Sequence, residues 1–588
     1  MTTPERVAEL PAPVRLPPGP IPEIPPPEAL VCARRADDTP WTMAGRRARV
    51  VSDGLGGVRG VEGDGVPLVG RVEVVGGTGA NLLVGPRCTR RELVLPGGSL
   101  TETVLVPDAL PGAVLQWSAG APGVPREVPV RLALAEGDLE RVHVADELLW
   151  VGGPGRGLLL HAPGSRSVPR LVAEDGGLAV RWDLPIREGP ATVLVLAAPE
   201  GDPWTSLQAL AGVGAHHRRG ELLARGEGEP GVELDTGVTE MDEGLAWSRA
   251  WLRNHLLAVP GRPPGIHRSR GLAAVGEGLG AGVGSPEDAP AWIARAAAAA
   301  GDREAARGAL GELSWNTPWT RLHGALALAR YVAWTGDGRP LEAALPALLE
   351  VYGAPDALEG MPDAVVVAVH EAVVAAAEAV EVRELAALPR PAAAPARSRA
   401  LPVLGATPGP PPGAGATHPW LAPLGFDRAP GAIATARAGL GAVATNPTVL
   451  GEGTGAEAVL ALVEGALGAR PDGTFARLGL SPCLPPSWTR FRARGLRVGD
   501  GSLELEWRLD AGGGTWTLQP REGSVPLTAV FEPWLPWAGL GTVRVDGSPA
   551  ELDLEARGDW CRIRLQLPVD GPHTVEVEGV GPRAATLP

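Results

Sequence analysis

The chain has 588 residues and a formal net charge of −15. Its length predicts roughly three to four domains. Because nucleic-acid affinity is built mostly from clustered cations, the acidic balance argues against a nucleic-acid partner. No apolar run of about 18 residues free of charges occurs, so neither a membrane-spanning helix nor a membrane partner is predicted.

Residues 1–30 are rich in proline and lack the basic start, apolar core and cleavage site of a secretory signal. They are predicted to form an extended tail, and the protein is expected to be cytoplasmic. The four cysteines show no CxxC spacing, so a zinc ribbon has no support. Neither a metal nor any other cofactor is expected.

Residues 31–232 contain short runs in which apolar and polar positions alternate, with turn residues between them. The clearest runs, at 90–94 and 100–106, are joined through a Pro-Gly-Gly-Ser turn and predict a β-hairpin. Several further runs repeat the pattern. The segment is therefore predicted to form an N-terminal β-sandwich.

Residues 233–470 change to a helical period, with helices that are apolar on more than one face. A stretch dense in proline, alanine and glycine at 389–430 interrupts them and is predicted to be a loop. Over 471–588 the period returns to two, which predicts a C-terminal β-sandwich. We expect helix to be nearly absent before about residue 200 and after about residue 480.

Three segments carry a resemblance to a known group of enzymes. They are GAEAVLALVEGALGARPDG, LGLSPCLPPSWTRFRARGLRVGDGSLELEWR and the YVAWTGD sequence at 331–337. In this order they resemble the six-hairpin glycosidases, the (α/α)6-toroid enzymes of the glycogen-debranching and glucoamylase kind. The resemblance implies a multidomain α and β protein with an N-terminal β-sandwich, a central (α/α)6-type helical toroid and a C-terminal β-sandwich.

Asp288 precedes an alanine-rich helix that carries Trp292 in its first turn. In the resembled enzymes a Gly-Arg-Asp segment stands at this place, and its Asp helps to hold sugar hydroxyls. Here Glu287 replaces the Arg. The alternative is purely structural, because Ser285 to Asp288 fits a capping box and an acid at a helix N-terminus is favourable. Both interpretations stay open, with Asp288 and Trp292 as candidate substrate-binding residues.

Inverting hydrolysis of a sugar needs a protonated acid and a carboxylate base roughly 6.5–9.5 Å apart. Glu452 and Glu457 are the candidate catalytic residues. Alternatively, Glu457 is a helix-start carboxylate and Glu452 a solvated loop residue. His323, one turn into its helix beside Trp319, is a candidate for stacking on and hydrogen-bonding a sugar. The alternative for His323 is a histidine of the core.

The chain also departs from the pattern of the resembled enzymes. Residues 318–323 contain no acid where those enzymes place an Asp, and the Trp-rich acidic segment that supplies their general acid is missing. The helical block is short for twelve helices, so the toroid is predicted to be abbreviated. Two hypotheses follow: an inverting, metal-free α-glucan hydrolase, or a non-catalytic carbohydrate-binding or scaffold protein. An oligo- or polysaccharide is the expected partner, whereas the sequence specifies neither linkage nor oligomeric state.

Overall fold

A computed structural model gives the fold of most of the chain. The described residues are 5–6, 32–34, 41–45, 47–53, 57–85, 87–107, 110–119, 126–135, 141–145, 147–153, 156–174, 177–186, 189–198, 231–254, 256–257, 265–266, 289–353, 363–388, 437–438, 440, 454–482, 484, 488–510, 513–536, 540–557 and 560–579. The structure is mixed α and β, with several largely antiparallel sheets and a helical region in the middle.

The chain divides into two compact units, the first comprising Met1–Glu227 and Asn254–His267. Valine and leucine supply much of the buried surface of the strands in this unit. The first seventeen described strands are β1 Glu5–Arg6, β2 Cys32–Arg34, β3 Trp41–Ala44, β4 Ala48–Ser52, β5 Val58–Gly63, β6 Val66–Val74, β7 Thr78–Val84, β8 Cys88–Leu95, β9 Gly98–Leu105, β10 Gly112–Ala119, β11 Glu127–Leu134, β12 Arg141–Ala145, β13 Leu148–Gly153, β14 Arg156–His161, β15 Arg170–Glu174, β16 Gly177–Pro185 and β17 Ala191–Ala197.

These described strands form two sheets. The ten-stranded sheet has the order β1-β12-β13-β14-β17-β10-β9-β8-β7-β2, and the seven-stranded sheet has the order β15-β16-β11-β6-β5-β4-β3. Strands β10, β14 and β17 contact strands of the β4–β6 meander, so the two sheets share a core. The predicted hairpin is confirmed, because β8 pairs with β9 from Cys88 opposite Leu105 to Leu95 opposite Gly98.

The second unit comprises Gly228–Arg253 and Arg268–Pro588. It begins with β18 Glu233–Asp235 and α1 Thr239–Asn254. Next in the chain come two short strands of the first unit, β19 Leu256–Leu257 and β20 Gly265–Ile266. The further described helices are α2 Ala289–Ala299, α3 Arg303–Leu310, α4 Pro318–Thr335, α5 Arg339–Ala343, α6 Leu345–Gly353, α7 Asp363–Ala379, α8 Arg383–Ala386 and α9 Thr454–Leu460, which continues as a π-helical turn over Ala461–Ala466.

Helix α2 packs against α3, α4 and α9, and α4 also packs against α7. Alanine supplies most of the buried face of α2, where it carries no side-chain entropy cost and leaves room for close neighbours. The (α/α)6 ring remains a prediction, and the predicted loop at 389–430 lies outside the described residues. None of the described helices is long and apolar enough to cross a membrane.

The C-terminal part of the second unit is again built from strands. They are β21 Arg470–Asp472, β22 Arg477–Leu480, β23 Arg490–Val498, β24 Gly501–Asp510, β25 Gly513–Pro520, β26 Leu527–Phe531, β27 Trp534–Pro536, β28 Val543–Val545, β29 Ser548–Pro549, β30 Asp553–Arg557, β31 Trp560–Val569 and β32 His573–Glu578. In the described part of the chain, one sheet has the order β18-β23-β24-β25-β32-β28-β29 and the other β21-β22-β26-β31-β27, with β30 paired to β31. Across the described residues no helix occurs before residue 200 or after residue 480, which confirms that prediction.

The end of α4 is attached to the C-terminal strands. Gly336 terminates the helix in the left-handed conformation (φ 70°), and a Cβ there would lie 3.0 Å from the Gly473 carbonyl oxygen. The amide of Gly473 donates to the Ala333 carbonyl at 2.6 Å, and the amide of Gly499 donates to the Trp334 carbonyl at 2.8 Å. Glycine at 336 satisfies both the positive φ and this close approach.

Candidate functional site

An aromatic cluster of Trp292, Trp319 and His323 forms where α2 meets α4. The ring centroids of Trp292 and His323 are 5.7 Å apart at an interplanar angle of 72°, an edge-to-face contact. The rings of Trp319 and His323 lie 5.6 Å apart, tilted by 54°. Trp292 and His323 are each 6% exposed, whereas Trp319 keeps 37% of its surface exposed. The cluster therefore runs from the interior to the surface and ends in an accessible indole ring.

The local sequence fixes where Trp319 emerges. Thr317 is the N-cap of α4, its hydroxyl accepts from the Thr320 amide at 3.1 Å, and the Thr320 hydroxyl accepts from the Thr317 amide at 3.0 Å. Pro318 occupies the first helical position, where a missing N–H costs nothing. Trp319 thus lies in the first turn, and His323 lies four residues later on the same face of the helix.

Behind the aromatic cluster lies a buried charged cluster. It consists of Arg295, Arg330, Trp334 and Glu464. The guanidinium carbon of Arg295 lies 5.2 Å from the centroid of the Trp292 ring, a cation–π contact. Arg295 Nη2 is 3.6 Å from Glu464 Oε2. The side chains of Arg295 and Glu464 are 2% and 0% exposed. An aromatic and ionic chain of contacts therefore connects the surface indole of Trp319 to a carboxylate with no access to water.

Glu464 is bonded mainly through one oxygen. Its Oε1 accepts from Arg330 Nε at 2.9 Å, from Arg330 Nη2 at 2.6 Å and from Trp334 Nε1 at 3.1 Å. Burial lowers the pKa of Arg295 to about 10, against the opposing effect of the Glu464 charge. Both arginines and Trp334 therefore hold this carboxylate in one orientation.

The acid of the YVAWTGD segment is also bonded within the protein. Asp337 accepts two hydrogen bonds from the Arg339 guanidinium, at 2.7 and 2.8 Å, one from the Arg339 amide at 3.2 Å and one from the Tyr331 hydroxyl at 3.1 Å. The hydrogen bonds from Arg339 lower the pKa of Asp337 most strongly. This segment, which contributes to the family resemblance, stabilises the end of α4 in this chain.

The predicted substrate-binding residues Trp292, Trp319 and His323 thus lie together in the structure. Glu457 lies on α9, which packs against the helix that carries Trp292, although its side chain is outside the described residues. Glu452 and Asp288 also lie outside the described residues. The roles of all six residues remain predictions.

Sequence reasoning missed four residues of the buried charged cluster: Arg295, Arg330, Trp334 and Glu464. A signal for two of them is present in the sequence. Arg295 is the only charged residue of the apolar helix APAWIARAAAA, and Glu464 interrupts the apolar run AVLALVEGALG. An isolated charge within an apolar helix predicts a buried partner, because an unpaired buried charge is very costly.

The described residues contain no group of three or more His, Cys, Asp or Glu side chains that could hold a metal ion. The polar groups available at the site are guanidinium, imidazole, indole and carboxylate. Guanidinium and indole groups donate hydrogen bonds, and carboxylates accept them. The guanidinium of Arg295 and the carboxylate of Glu464 are buried, so these two groups serve each other rather than the surface.

No family model matches the chain, and no curated protein matches it in sequence. Among solved structures it is similar to one described as "Putative kojibiose phosphorylase from human microbiome", at 9% identity and a TM-score of 0.48, over 91% of this chain and 92% of that one. It is also similar to a bacterial glucoamylase complexed with acarbose, at 8% identity and a TM-score of 0.40, over 63% of this chain and 68% of that one. For an α-L-rhamnosidase from Dictyoglumus thermophilum the identity is 11% and the TM-score 0.36, over 85% of this chain and 73% of that one.

All three likenesses are weak, with TM-scores of 0.48 or lower. They concern the fold. At such identities and TM-scores they carry no argument about activity, which depends on the side chains of this chain.

Proposed function

We propose that the protein is carbohydrate-active and binds an oligo- or polysaccharide on the aromatic cluster. One observation carries the proposal: the exposed indole of Trp319 packs against buried His323, which in turn contacts Trp292. Aromatic rings have an electron-rich face, and the C–H groups on the flat side of a pyranose carry partial positive charge. A rigidly supported indole is therefore a suitable platform for a sugar ring.

The proposed reaction is inverting hydrolysis of an α-glucan, of the glycogen-debranching type. Glu452 and Glu457 would supply the protonated acid at the glycosidic oxygen and the base that activates water on the opposite face of the sugar. The contact of α9 with α2 supports this arrangement, because it brings the backbone of Glu457 and the Trp292 ring onto adjacent helices. Asp288 would accept hydrogen bonds from vicinal hydroxyls in the same subsite.

A second function, sugar binding without hydrolysis, has one observation in its favour. Glu464 is joined to the aromatic cluster through Arg295, and its Oε1 already accepts three hydrogen bonds from Arg330 and Trp334. Glu464 has no exposed side-chain surface. It is therefore unsuited to transfer protons to a substrate, and the hydrolase proposal assigns that role to Glu452 and Glu457.

The test is to incubate the protein with maltose- and isomaltose-series oligosaccharides, measure reducing-end release and record the anomer of the new sugar by NMR. The hydrolase proposal predicts release of the β-anomer, and loss of release in Glu457→Gln or Glu452→Gln. Glu342→Gln, on α5, is the matched control and should leave release unchanged. Binding without release supports the second function. Absence of both binding and release overturns the proposed function.

A further inference from the structure

We propose that Glu464 and Arg295 are positioning residues that fix the sugar-binding rings relative to the helix that carries Glu457. This inference deepens the proposed function and rests on it. Neither residue is placed against the sugar. Each would act through the aromatic cluster or through the position of α9.

Glu464 joins the three helical segments that carry four of the six candidate site residues. Its own π-helical turn continues directly from α9, which carries Glu457. Its Oε1 is bonded to Arg330 and Trp334 of α4, the helix that also carries Trp319 and His323. Its Oε2 faces Arg295 of α2, the helix that carries Trp292. A single carboxylate therefore contacts each helix on which a sugar-binding or catalytic residue is predicted.

The π-helical turn gives a second reason to assign a specific role to this residue. A π-helical turn has a wider hydrogen-bonding pattern than an α-helix, is uncommon and is frequently found at functional sites. Glu464 is the only ionisable residue of the turn Ala461–Ala466, and its carboxylate lies wholly inside the protein. The hydrogen bonds from Arg330 and Trp334 to Glu464 therefore hold the π-helical turn against α4.

Arg295 connects this carboxylate to the aromatic cluster. Its guanidinium lies over the Trp292 ring on one side and 3.6 Å from Glu464 on the other. The Nε and Nη2 atoms of Arg295 and the Oε2 atom of Glu464 make no hydrogen bond to the described residues. Charge and the contact with the ring hold the two side chains together, at a separation of 3.6 Å that is longer than an ordinary hydrogen bond. Electrostatic attraction of this kind is strong where water is excluded.

Calorimetric titration with maltoheptaose tests the inference in the full-length protein. Arg295→Met is the principal variant, because methionine fills the space while Arg330 still neutralises Glu464. We expect maltoheptaose affinity to fall at least about tenfold. Arg295→Lys restores a cation beside the ring, so its affinity should return to within about threefold of wild type. Arg303→Met removes an exposed ion pair with Asp500 and should bind as wild type does.

A second readout separates positioning from a general loss of stability. Hydrogen exchange of the α4 amides around Trp319 and of the α9 amides should accelerate in Arg295→Met and recover in Arg295→Lys, with the sheets unchanged. Wild-type binding that Arg295→Met leaves unaltered, in a folded protein, would overturn this inference alone. Absence of wild-type binding would overturn the proposed function together with the inference.

Discussion

Arg330 donates two hydrogen bonds to the same oxygen of Glu464, at 2.9 and 2.6 Å, across 134 residues of sequence. The pair joins the long helix that carries the exposed indole to the π-helical turn that follows α9. Because the carboxylate is fully buried, its charge and those of its arginine partners stabilise the fold only as long as they compensate one another. Removing one charge of a buried pair leaves the other without compensation.

The first prediction concerns stability. Glu464→Gln leaves Arg295 and Arg330 buried without a carboxylate, so the free energy of unfolding should fall by about 3–5 kcal/mol. Arg295→Met leaves a neutral pair of Glu464 and Arg330, and should stay within about 1 kcal/mol of wild type. Urea unfolding followed by circular dichroism measures both. An equal fall in the free energy of unfolding in the two variants would show that the stability of the protein does not depend specifically on the charge of Glu464.

The second prediction uses the fact that the chain has two tyrosines, Tyr331 and Tyr352. Burial, assisted by the nearby charge of Asp337, raises the pKa of Tyr331 to about 12, and burial also raises the pKa of Tyr352. The raised pKa means that the stabilisation of each neutral phenol is fully present below pH about 10 and is lost as pH rises through the folded-state pKa.

The measurement is ultraviolet absorbance of tyrosinate during an alkaline titration. The folded protein should show no ionised tyrosine at pH 10.5, whereas the urea-unfolded protein should show two tyrosines titrating near pH about 10. Tyr331→Phe serves as the control that assigns the first transition. Ionisation of a tyrosine near pH about 10 in the folded protein would contradict the burial of these side chains.

The third prediction tests the capping box that places Trp319. Thr317→Ala removes the side-chain acceptor for the Thr320 amide and should lower the free energy of unfolding by about 0.5–2 kcal/mol. Thr317→Ser retains the hydroxyl and should remain close to wild type. Thermal unfolding of the three proteins provides the comparison. A melting temperature that is the same for Thr317→Ala and Thr317→Ser would exclude a stabilising cap at this position.

The fourth prediction concerns Asp288, which lies outside the described residues. If Asp288 only caps α2, Asp288→Asn should change stability by a few tenths of a kcal/mol, while Asp288→Ala should cost about 0.5–2 kcal/mol. If Asp288 also binds sugar hydroxyls, Asp288→Asn should weaken oligosaccharide binding although the fold is intact. Calorimetry of wild type and both variants decides between the two roles, and unchanged binding by Asp288→Asn would exclude sugar binding by this residue.

The sequence predicts the order of strands, helices and strands because the apolar period is a local property. It predicts the hairpin of β8 and β9 for the same reason, since a short turn joins strands that are adjacent in the chain. The strand order within each sheet depends on distant pairings, such as Gln116 opposite Thr192, which no local pattern specifies. Periodicity therefore gives the elements but not the topology.

The candidate site divides in the same way. Trp319 and His323 are one helical turn apart, so their proximity follows from the sequence. Their contact with Trp292 requires α2 to pack on α4, and the contact of Arg295 with Glu464 requires α9 to return to α2. The sequence shows only that Arg295 and Glu464 are isolated charges in apolar helices. Their pairing depends on the tertiary packing of the helices.

Sugar binding on the aromatic cluster is tested most directly by calorimetric titration of wild type, Trp319→Ala and Phe475→Ala with maltose- and isomaltose-series oligosaccharides. Phe475 is a matched control because it is an exposed aromatic residue of the same unit, 71% accessible, in the turn between β21 and β22. Sugar binding on the aromatic cluster predicts that wild type and Phe475→Ala bind an oligosaccharide equally and that Trp319→Ala loses at least about tenfold in affinity. Equal binding by Trp319→Ala and wild type, or no binding by wild type, would contradict it.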